Sequence, residues 1–486
     1  MRPSLPSTAR RRCGALATAV GVALLAAACS GSGDGGSASS PATTVARGSR
    51  ADAATTPGWP VYRHDLANTG FAPSETSITP ANVGTLAKEW ATTGVTGVTG
   101  TPAVVDGVVY YGDWTSTMRA VEAATGTAIW STPLEGGWVI AAPAVHDDAV
   151  FIAVGHMLYR LDKATGAVRW KASTNEHPLA QINGSPVYVD GLVLQATAGV
   201  QDAVPDPNDS FRGTIGAYDA ETGREVWRFY ATPADEAAGA GVGIWSTPAV
   251  DRQRGLLYIG TGNTSSEPTA PLADALLALD VRTGALRWSR QFTERDVFPK
   301  GNPTGKDVDV GASPNLWTSD GRELVGVGDK GGNYHALDRD TGEVVWATSL
   351  TPGSVFGGVI GSAAFVDGRL VMSSNVGDPA TNAPTNTSKV FSLDPATGEI
   401  QWSTPELTGK VFGPVSAVPG VAFVGTDANT MYAFDTATGT KLWSFDAPGK
   451  IGGGAALADG RLVWGYGFIL FRGTSEGGVI SFRPAP

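Results

Sequence analysis

Cysteine is nearly absent from the sequence. Only two occur among 486 residues, Cys13 and Cys29, and both lie close to the N-terminus. The rest of the chain therefore offers no thiolate nucleophile, no cysteine metal site and no internal disulfide. The C-x-x-C-H pattern that attaches a c-type haem is absent as well.

Charge and histidine are also scarce. Asp, Glu, Lys and Arg make up 17% of the residues, against about 25% in an average soluble domain. The net charge is −11, and an acidic chain repels phosphate backbones, which argues against nucleic acid as a partner. The five histidines show no metal-binding spacing and no partnering Ser or Cys motif, so we interpret them as structural or surface residues.

The N-terminus has the features of a secretion signal. A basic start that includes Arg2 is followed by an apolar run over residues 14–28. The run is too short to span a bilayer comfortably, but it matches the apolar region of a signal peptide. It ends in L-A-A-A before Cys29, which resembles a bacterial lipoprotein cleavage box, where the cysteine is acylated. The alternative is a plain secretory peptide that is cut near Ala28.

These features divide the chain into three regions. Residues 1–28 are predicted to be a lipoprotein signal peptide, and residues 29–55, rich in Ser, Gly, Ala and Thr, a flexible tether. Residues 56–486 would form the folded domain. We therefore expect an exported bacterial lipoprotein whose acylated Cys29 attaches it to the outer face of the cell membrane. Removal of the leader takes away four arginines and no acid, so the net charge changes from −11 to −15.

One motif, A-x-D-x-x-T-G-x-x-x-W, recurs along the chain. Clear copies occupy residues 217–227, 278–288 and 433–443. The tryptophans of the repeats stand at positions 90, 130, 170, 227, 288, 346, 402 and 443. In each copy, we expect the Asp to cap the turn of a β-hairpin and the Gly to supply a positive φ. A second recurring hairpin, for example at residues 185–193, lies between copies.

Two hairpins in each repeat give four strands, which is the content of one propeller blade. The eight tryptophans therefore predict an all-β fold, an eight-bladed β-propeller of four-stranded blades with a Trp wedged between neighbouring blades. Trp90 has no A-x-D turn before it, so the C-terminal strands should pair with the segment before Trp90 and close the ring. Seven blades with a loose end, or two stacked sandwiches, are the alternatives. Wider Trp spacing from 170 to 402 predicts insertions in blades three to six, on one face.

Two stretches of the sequence are more specific than the repeat itself. They are I-W-S-T-P-A-V-D at residues 244–251 and L-Y-I-G-T-G-N at residues 257–263. With the start Y-R-H-D-L-A-N-T-G at residues 62–70, they resemble the eight-bladed quinoprotein propellers that bind pyrroloquinoline quinone (PQQ). The likeness is greatest to polyvinyl-alcohol dehydrogenases and quinoprotein alcohol dehydrogenases. It implies hydride transfer from an alcohol to PQQ with Ca²⁺ as Lewis acid, a small-molecule or polymer substrate and a separate electron acceptor.

The resemblance also implies roles for individual residues. Trp245 would lie against the PQQ ring, Lys330 would polarise the reactive carbonyl as a catalytic group, and Asn183 would make a polar contact to the cofactor. Asn263 would bind Ca²⁺ through its amide oxygen. The structural alternatives are blade packing for Trp245 and turn positions for Asn263 and Lys330.

The metal carboxylate departs from the family pattern. By its spacing the position falls at Gln201, a neutral amide, so Gln201 and the neighbouring Asp202 are the predicted metal ligands. Asp206 is an alternative, because calcium accepts varied oxygen ligands.

The catalytic base departs as well. The strict match is Pro299, which cannot accept a proton, so Asp296 or Asp307 would take its place, with Asp309 as a further alternative. An arginine cofactor clamp expected near Ile140 is not evident. The disulfide that lies behind the ring in many members cannot form here.

A propeller without chemistry is the second hypothesis. Barrel-assembly lipoproteins have the same eight-bladed fold, so the chain would then be a scaffold or a binding module. Convergence of Trp245, Asn263 and Lys330 with an aspartate would favour the dehydrogenase. An axial funnel without convergent carboxylates would favour the scaffold.

Overall fold

The computed structural model describes residues 58–200, 204, 206, 208–232, 239–299, 307–467 and 476–485. The predicted signal peptide, the tether, Cys29, Gln201 and Asp202 lie outside these ranges, so what the sequence indicates for them stays a prediction. In the described ranges, one short 3-10 helix, Val83–Thr85, accompanies the β-strands. None of the described helical segments is long and apolar enough to cross a membrane.

Eight antiparallel sheets make up the described fold, which confirms the predicted eight-bladed propeller of four-stranded blades. We number the blades I to VIII in chain order and name their strands a to d. The a strands of neighbouring blades contact one another, so they surround the central axis. Strand d is the outermost strand of each blade.

Each of the first four blades is built from one continuous stretch of the chain. Blade I contains Ala103–Val105, Val108–Gly112, Thr117–Glu122 and Ala128–Pro133. Blade II contains Ala144–His146, Ala149–Val154, Met157–Asp162 and Val168–Ser173. Blade III contains Val187–Val189, Leu192–Gly199, Thr214–Asp219 and Glu225–Tyr230, and blade IV contains Ala249–Asp251, Leu256–Gly260, Ala275–Asp280 and Leu286–Gln291.

The other four blades complete the ring. Blade V contains Asn315–Ser319, Arg322–Gly328, Asn333–Asp338 and Val344–Ser349. Blade VI contains Ala364–Val366, Arg369–Gly377, Pro384–Leu393 and Ile400–Ser403, and blade VII contains Ser416–Val418, Val421–Gly425, Thr430–Asp435 and Lys441–Asp446. Blade VIII contains Ala455–Ala458, Arg461–Tyr466, Glu476–Pro484 and Leu86–Ala91. Three short strands, Val95–Thr96, Ala180–Gln181 and Leu407–Thr408, extend the sheets of blades VIII, III and VI.

Blade VIII joins the two ends of the domain. Its outermost strand, Leu86–Ala91, pairs with the C-terminal strand Glu476–Pro484, and Trp90 lies opposite Ser481. This pairing confirms the predicted closure. It also explains why Trp90 lacks the turn that precedes the other repeat tryptophans, since its hairpin partner is the last strand of the chain.

Each repeat Trp docks on the following blade. The indole N–H of Trp90 donates to the Ala123 carbonyl at 2.9 Å, and that of Trp227 donates to the Val281 carbonyl at 3.0 Å. The turn glycine faces the indole: a Cβ on Gly284 would lie 2.5 Å from Trp227 Cε3, and its φ is +71°. Glycine is therefore required at this contact for both reasons. The predicted wedge is confirmed.

Apolar side chains fill the space between blades. Between blades III and IV, for example, Ile215 and Ala217 belong to the same buried cluster as Leu257 and Leu277. Alternate residues of each b and c strand face a neighbouring blade, so a single blade would leave both faces exposed. The blades are therefore stable only as a ring.

The two faces of the ring differ in their connections. Since strands alternate in direction, all a–b and c–d turns lie on one face, which we call the turn face, and all b–c and d–a connections lie on the other, the loop face. The turns are short and self-capped: Asp280 Oδ1 accepts the backbone N–H and the hydroxyl of Thr283 at 3.0 and 2.9 Å. The predicted insertions of blades III to VI all fall on the loop face, between strands b and c or before strand a.

An N-terminal segment, residues 58–75, lies along the a strands. Pro60, Leu66 and Thr69 accept hydrogen bonds through their carbonyls from strands a of blades II, IV and VI at 2.7–2.8 Å. The Arg63 guanidinium is buried and donates to the carbonyls of blades VI and VII. Glu75 Oε2 accepts the N–H of Gly460, in the a–b turn of blade VIII, at 2.8 Å. The segment is therefore bound to several blades of the ring at once.

Candidate active site

Seven side chains converge on the loop face of blades IV and V. They are Trp245 before blade IV, Asn263 and Asp274 in the b–c loop of blade IV, Asp296, Asp307 and Asp309 between blades IV and V, and Lys330 in the b–c loop of blade V. All except Trp245 are buried. Ionisable residues are seldom buried in such number, and a group of this kind is typical of a functional site.

Lys330 is the cation at the centre of this group. Its Nζ lies 2.7 Å from Asp307 Oδ1 and 2.7 Å from Asp309 Oδ2. Burial alone would lower the pKa of Lys330, but the carboxylates of Asp309 and Asp307 outweigh it and raise the pKa well above its usual value. The two carboxylates therefore favour the charged ammonium.

The backbone around Lys330 fixes its position. The Lys330 N–H donates to the Asp309 carbonyl at 3.0 Å, which ties the b–c loop of blade V to the preceding connection. The neighbouring Asp329 caps the loop, since its Oδ1 accepts the N–H of Asn333 at 2.9 Å and its Oδ2 lies 2.7 Å from His335 Nε2. The lysine is thus held by a rigid turn and is not a solvated turn residue.

Asn263 is oriented by three hydrogen bonds. Its backbone N–H donates to Asp309 Oδ1 at 2.6 Å. Its Nδ2 donates to the carbonyls of Thr264 and Phe298 at 2.9 and 2.6 Å. Because the amide nitrogen faces these two carbonyls, Oδ1 points to the other side, where it is available as an oxygen ligand.

Trp245 is half-buried beside this cluster. A Cβ on Gly311 would lie 1.7 Å from Cη2 and Cζ2 of the indole. Only a glycine at position 311 therefore lets the ring pack against this backbone. Lys330 Nζ is 5.6 Å from the ring centroid. The indole and the ammonium therefore border the same space on the loop face.

Asp296 lies deeper in the IV–V connection. Its Oδ2 accepts the Val308 N–H at 2.6 Å, which ties the two ends of the connection together. Burial raises its pKa; the Val308 N–H opposes this shift and the Asp309 carboxylate adds to it. Asp296 is therefore part of the cluster, but one of its oxygens already has a structural contact.

Asp274 is a member of the cluster that sequence reasoning missed. It is fully buried, and within the described residues neither carboxylate oxygen has a hydrogen-bond partner. Burial raises its pKa well above the ordinary value, and the carboxylates of Asp309, Asp296 and Asp307 raise it further. In the sequence, Asp274 looks like any loop aspartate one residue before a strand. Only the fold brings it to the other carboxylates.

The remaining predicted residues are more loosely connected. Asn183 is exposed, and the adjacent Gly184 packs against the carbonyl of Ser246, the residue after Trp245. Asp206 caps its own turn, where its Oδ2 accepts the N–H of Ser210 at 2.8 Å. Gln201 and Asp202 lie outside the described residues. In the described ranges, no three His, Cys, Asp or Glu residues form a group arranged for a metal ion.

The sequence matches two models of protein families. The model of the glucose/ethanol/alcohol dehydrogenase β-propeller domain, called PQQ, covers residues 59–140 and 164–354. The model of the outer membrane protein assembly factor BamB covers residues 330–485. The first match includes every described residue of the cluster.

Several relatives are named as dehydrogenases. The chain is 30% identical over 462 residues to a polyvinylalcohol dehydrogenase from a Pseudomonas species, a match that covers 86% of this chain and 72% of that protein. It is 27% identical over 530 aligned positions to the quinohemoprotein alcohol dehydrogenase of Comamonas testosteroni, covering 85% of this chain and 72% of that one.

Solved structures share the fold. The Comamonas testosteroni quinohemoprotein alcohol dehydrogenase superimposes with a TM-score of 0.75 and 23% identity, over 89% of this chain and 81% of that one. BamB from Moraxella catarrhalis superimposes with a TM-score of 0.56 and 15% identity, over 82% of this chain and 99% of that one. With the family match over more than half of its length, the chain belongs to the PQQ β-propeller family of glucose, ethanol and alcohol dehydrogenases, a family of oxidoreductases.

Proposed function

We propose that this chain oxidises hydroxyl groups of a small alcohol or a hydroxylated polymer, with PQQ and Ca²⁺ bound on the loop face. The observation that carries the proposal is the convergence of Trp245, Asn263 and Lys330 with Asp307 and Asp309. Each of these side chains has a chemical use in alcohol oxidation, and their burial together is costly for a purely structural site.

The residues present fit the two groups that the family implies. The half-buried indole of Trp245 offers a flat surface for a tricyclic ring, beside the charged Lys330. The Oδ1 of Asn263 and the unpartnered carboxylate of Asp274 are hard oxygen donors of the kind that calcium prefers. When bound, PQQ would accept the two electrons of the alcohol as hydride, and Ca²⁺ would act as its Lewis acid.

The chain's own residues would supply charge and a proton acceptor. Lys330 places a permanent positive charge beside Trp245, where negative charge would develop on a reacting oxygen. Asp309 would accept the hydroxyl proton, because its carboxylate contacts both Lys330 and the backbone of Asn263. Asp307 is the second carboxylate on Lys330 and the alternative acceptor. Asp296, whose Oδ2 holds the Val308 N–H, would act through the charge of the cluster.

The electrons must then leave the protein. The sequence has no C-x-x-C-H motif for a covalent haem. We therefore propose a separate electron acceptor, in contrast to the quinohemoprotein relatives, whose name indicates a haem of their own.

The test is reconstitution of the purified chain with PQQ and Ca²⁺. We expect quenching of Trp fluorescence by PQQ and dye-linked oxidation of alcohols, with short alcohols and polyvinyl alcohol compared as substrates. Trp245→Leu should weaken PQQ binding at least tenfold, whereas Trp138→Leu, at a half-exposed indole outside the cluster, is the matched control. Absence of both PQQ binding and alcohol oxidation in the wild type would refute the proposal.

The scaffold function is the second candidate. The observation that favours it is the match of residues 330–485 to the BamB family model. That match begins at Lys330 and leaves out the rest of the cluster, so it does not explain why four carboxylates are buried around one lysine. A wild type that binds neither PQQ nor Ca²⁺ would favour the scaffold.

We also propose that the chain is exported and anchored at the outer face of the cell membrane through Cys29. The support is the leader over residues 1–28 and the cysteine that follows it. Cys29→Ser should release the chain from the membrane fraction and abolish incorporation of labelled fatty acid. Retention of both in the variant would show that Cys29 is not the anchor.

A further inference from the structure

Among the described residues, the cluster on the loop face contains more acids than bases. Asp274, Asp296, Asp307 and Asp309 supply four carboxyl groups, and Lys330 forms ion pairs with Asp307 and Asp309. Its ammonium is already shared between two of these carboxylates. Asp274 and Asp296 must therefore either take up a proton or be neutralised by a bound cation, since an ionised carboxylate in a buried site is stable only when it is paired or binds a metal.

Asp274 is the acid of the cluster that most needs such neutralisation. Its side chain is fully buried, and within the described ranges neither oxygen has a hydrogen-bond partner. A buried unpaired polar group costs about 1–3 kcal/mol, and more when it is charged. Other buried aspartates of this chain are satisfied: Asp113, equally buried, binds Arg119 at 2.9 Å and the Thr115 N–H at 2.9 Å.

The backbone places Asp274 beside the predicted calcium ligand. The Asp274 N–H donates to the Gly262 carbonyl at 3.1 Å, next to Asn263 in the chain. On the other side, the Asn263 N–H donates to Asp309 Oδ1 at 2.6 Å, and a Cβ on Gly262 would lie 2.9 Å from the same oxygen. The Asp274 backbone and the Asp309 carboxylate thus both contact the segment Gly262-Asn263.

We propose that Asp274 is a ligand of a divalent cation, Ca²⁺, in this site, together with Asn263 Oδ1. It would supply the carboxylate that the family pattern places at the position of Gln201. The acidic ligand would then come from the b–c loop of blade IV instead of blade III. One carboxylate and one amide leave further coordination positions of a six- to eight-coordinate ion for water or cofactor oxygens.

The inference deepens the proposed function but is tested apart from it, on the full chain without alcohol. Ca²⁺ is titrated calorimetrically, and Tb³⁺ by its luminescence under Trp excitation, each with and without PQQ. The wild type should bind one ion, which also raises its melting temperature. Asp274→Asn should lower the affinity for both ions at least tenfold, and Asp113→Asn should leave it unchanged.

Folding of the variant is controlled in two ways. The amide of Asp274→Asn is isosteric and removes a buried unpaired acid, so the cation-free variant should melt no lower than the cation-free wild type. Asp274→Glu keeps the carboxylate and should recover part of the cation affinity that Asp274→Asn loses. A merely structural role for Asp274 predicts the reverse, with stability lost and cation affinity kept.

Two outcomes would overturn the inference. One is an Asp274→Asn chain that binds Ca²⁺ as tightly as the wild type. The other is a wild type that binds neither ion with or without PQQ. A wild type that binds Ca²⁺ through Asp274 but oxidises no alcohol would leave the inference intact and refute the dehydrogenase alone.

Discussion

Blade IV carries a buried aspartate at each end, and the two have opposite surroundings. Asp251, at the end of strand a on the turn face, accepts hydrogen bonds from the Arg254 guanidinium at 3.0 Å and from Arg339 at 3.1 Å. Asp274, on the loop face, is without any such partner among the described residues. The carboxylate of a buried aspartate is thus hydrogen-bonded at one end of the blade and, among the described residues, has no hydrogen-bond partner at the other end.

The electrostatic consequences are opposite as well. Burial would raise the pKa of Asp251, but the backbone N–H of Arg254 and the two guanidinium groups outweigh it and lower the pKa. For Asp274 burial and the neighbouring carboxylates act in the same direction and raise the pKa. The comparison indicates that Asp251 is paired within the turn face, whereas Asp274 on the loop face has to be neutralised by a proton or by a bound cation.

The strongest test of this contrast removes one cation from each face. Lys330→Met removes the ammonium that Asp307 and Asp309 both contact and should destabilise the fold by about 3–5 kcal/mol. It should also lower kcat for alcohol oxidation by about 10²–10³-fold, since it removes charge stabilisation from the reacting centre. Urea unfolding and dye-linked kinetics of the folded fraction measure the two effects.

Arg339→Met is the matched change on the turn face. Arg339 pairs with Asp251 and donates to the carbonyls of Trp317 and Leu324 at 2.8 and 3.0 Å. Its loss should destabilise the fold by a similar amount but leave kcat of the folded fraction unchanged. A comparable fall in kcat for both variants would show that the two faces are not functionally distinct.

A pair of glycine substitutions tests the same contrast with a smaller effect. In Gly311→Ala the new methyl group would overlap the Trp245 indole, so the ring must move and PQQ affinity should fall about tenfold. In Gly284→Ala, a methyl group beside Trp227 at a φ of +71° should cost about 1–3 kcal/mol of stability and leave PQQ affinity unchanged. Fluorescence titration with PQQ measures the cofactor affinity, and denaturant unfolding measures the stability. If Gly284→Ala lowered the PQQ affinity and Gly311→Ala did not, the placement of PQQ beside Trp245 would be contradicted.

A further test of the contrast is a pH dependence of stability on the turn face. Since the folded state lowers the pKa of Asp251, its contribution to stability is present above the ordinary value of about 3.9 and is lost as the pH falls through the folded pKa. The free energy of unfolding of Asp251→Asn should therefore lie below that of the wild type at pH 6 by about 1.5–3 kcal/mol. The two curves should converge as the pH falls well below 3.9. A constant difference across this range would show that the carboxylate charge is not the cause.

The fold was predictable because its information is local and repeated. The number of blades is predicted by the spacing of Trp90, Trp227 and the other repeat tryptophans. The T-G turn indicates where each indole docks. Neither inference needs knowledge of distant contacts. Even ring closure followed from a local observation, the absence of a turn before Trp90.

The site was predictable only in part. Trp245, Asn263 and Lys330 stand in recognisable short motifs, and the structure brings them together. Asp274 does not: an isolated loop aspartate gives no signal until blades IV and V are packed side by side. Which of Asp296, Asp307 and Asp309 contacts Lys330 was equally beyond the sequence, because it depends on the course of the long connection between two blades.

The closure of blade VIII has a consequence for how the chain is made. The hydrogen bond from the Val479 N–H to Thr92 Oγ1 joins residues 387 positions apart, and Trp443 docks on the Leu86 carbonyl. The strand Leu86–Ala91 is synthesised before the other seven blades, and its partner, Glu476–Pro484, is synthesised after them. The ring therefore cannot close until Glu476–Pro484 has been made, and loss of that strand would leave two open sheet edges ready to aggregate.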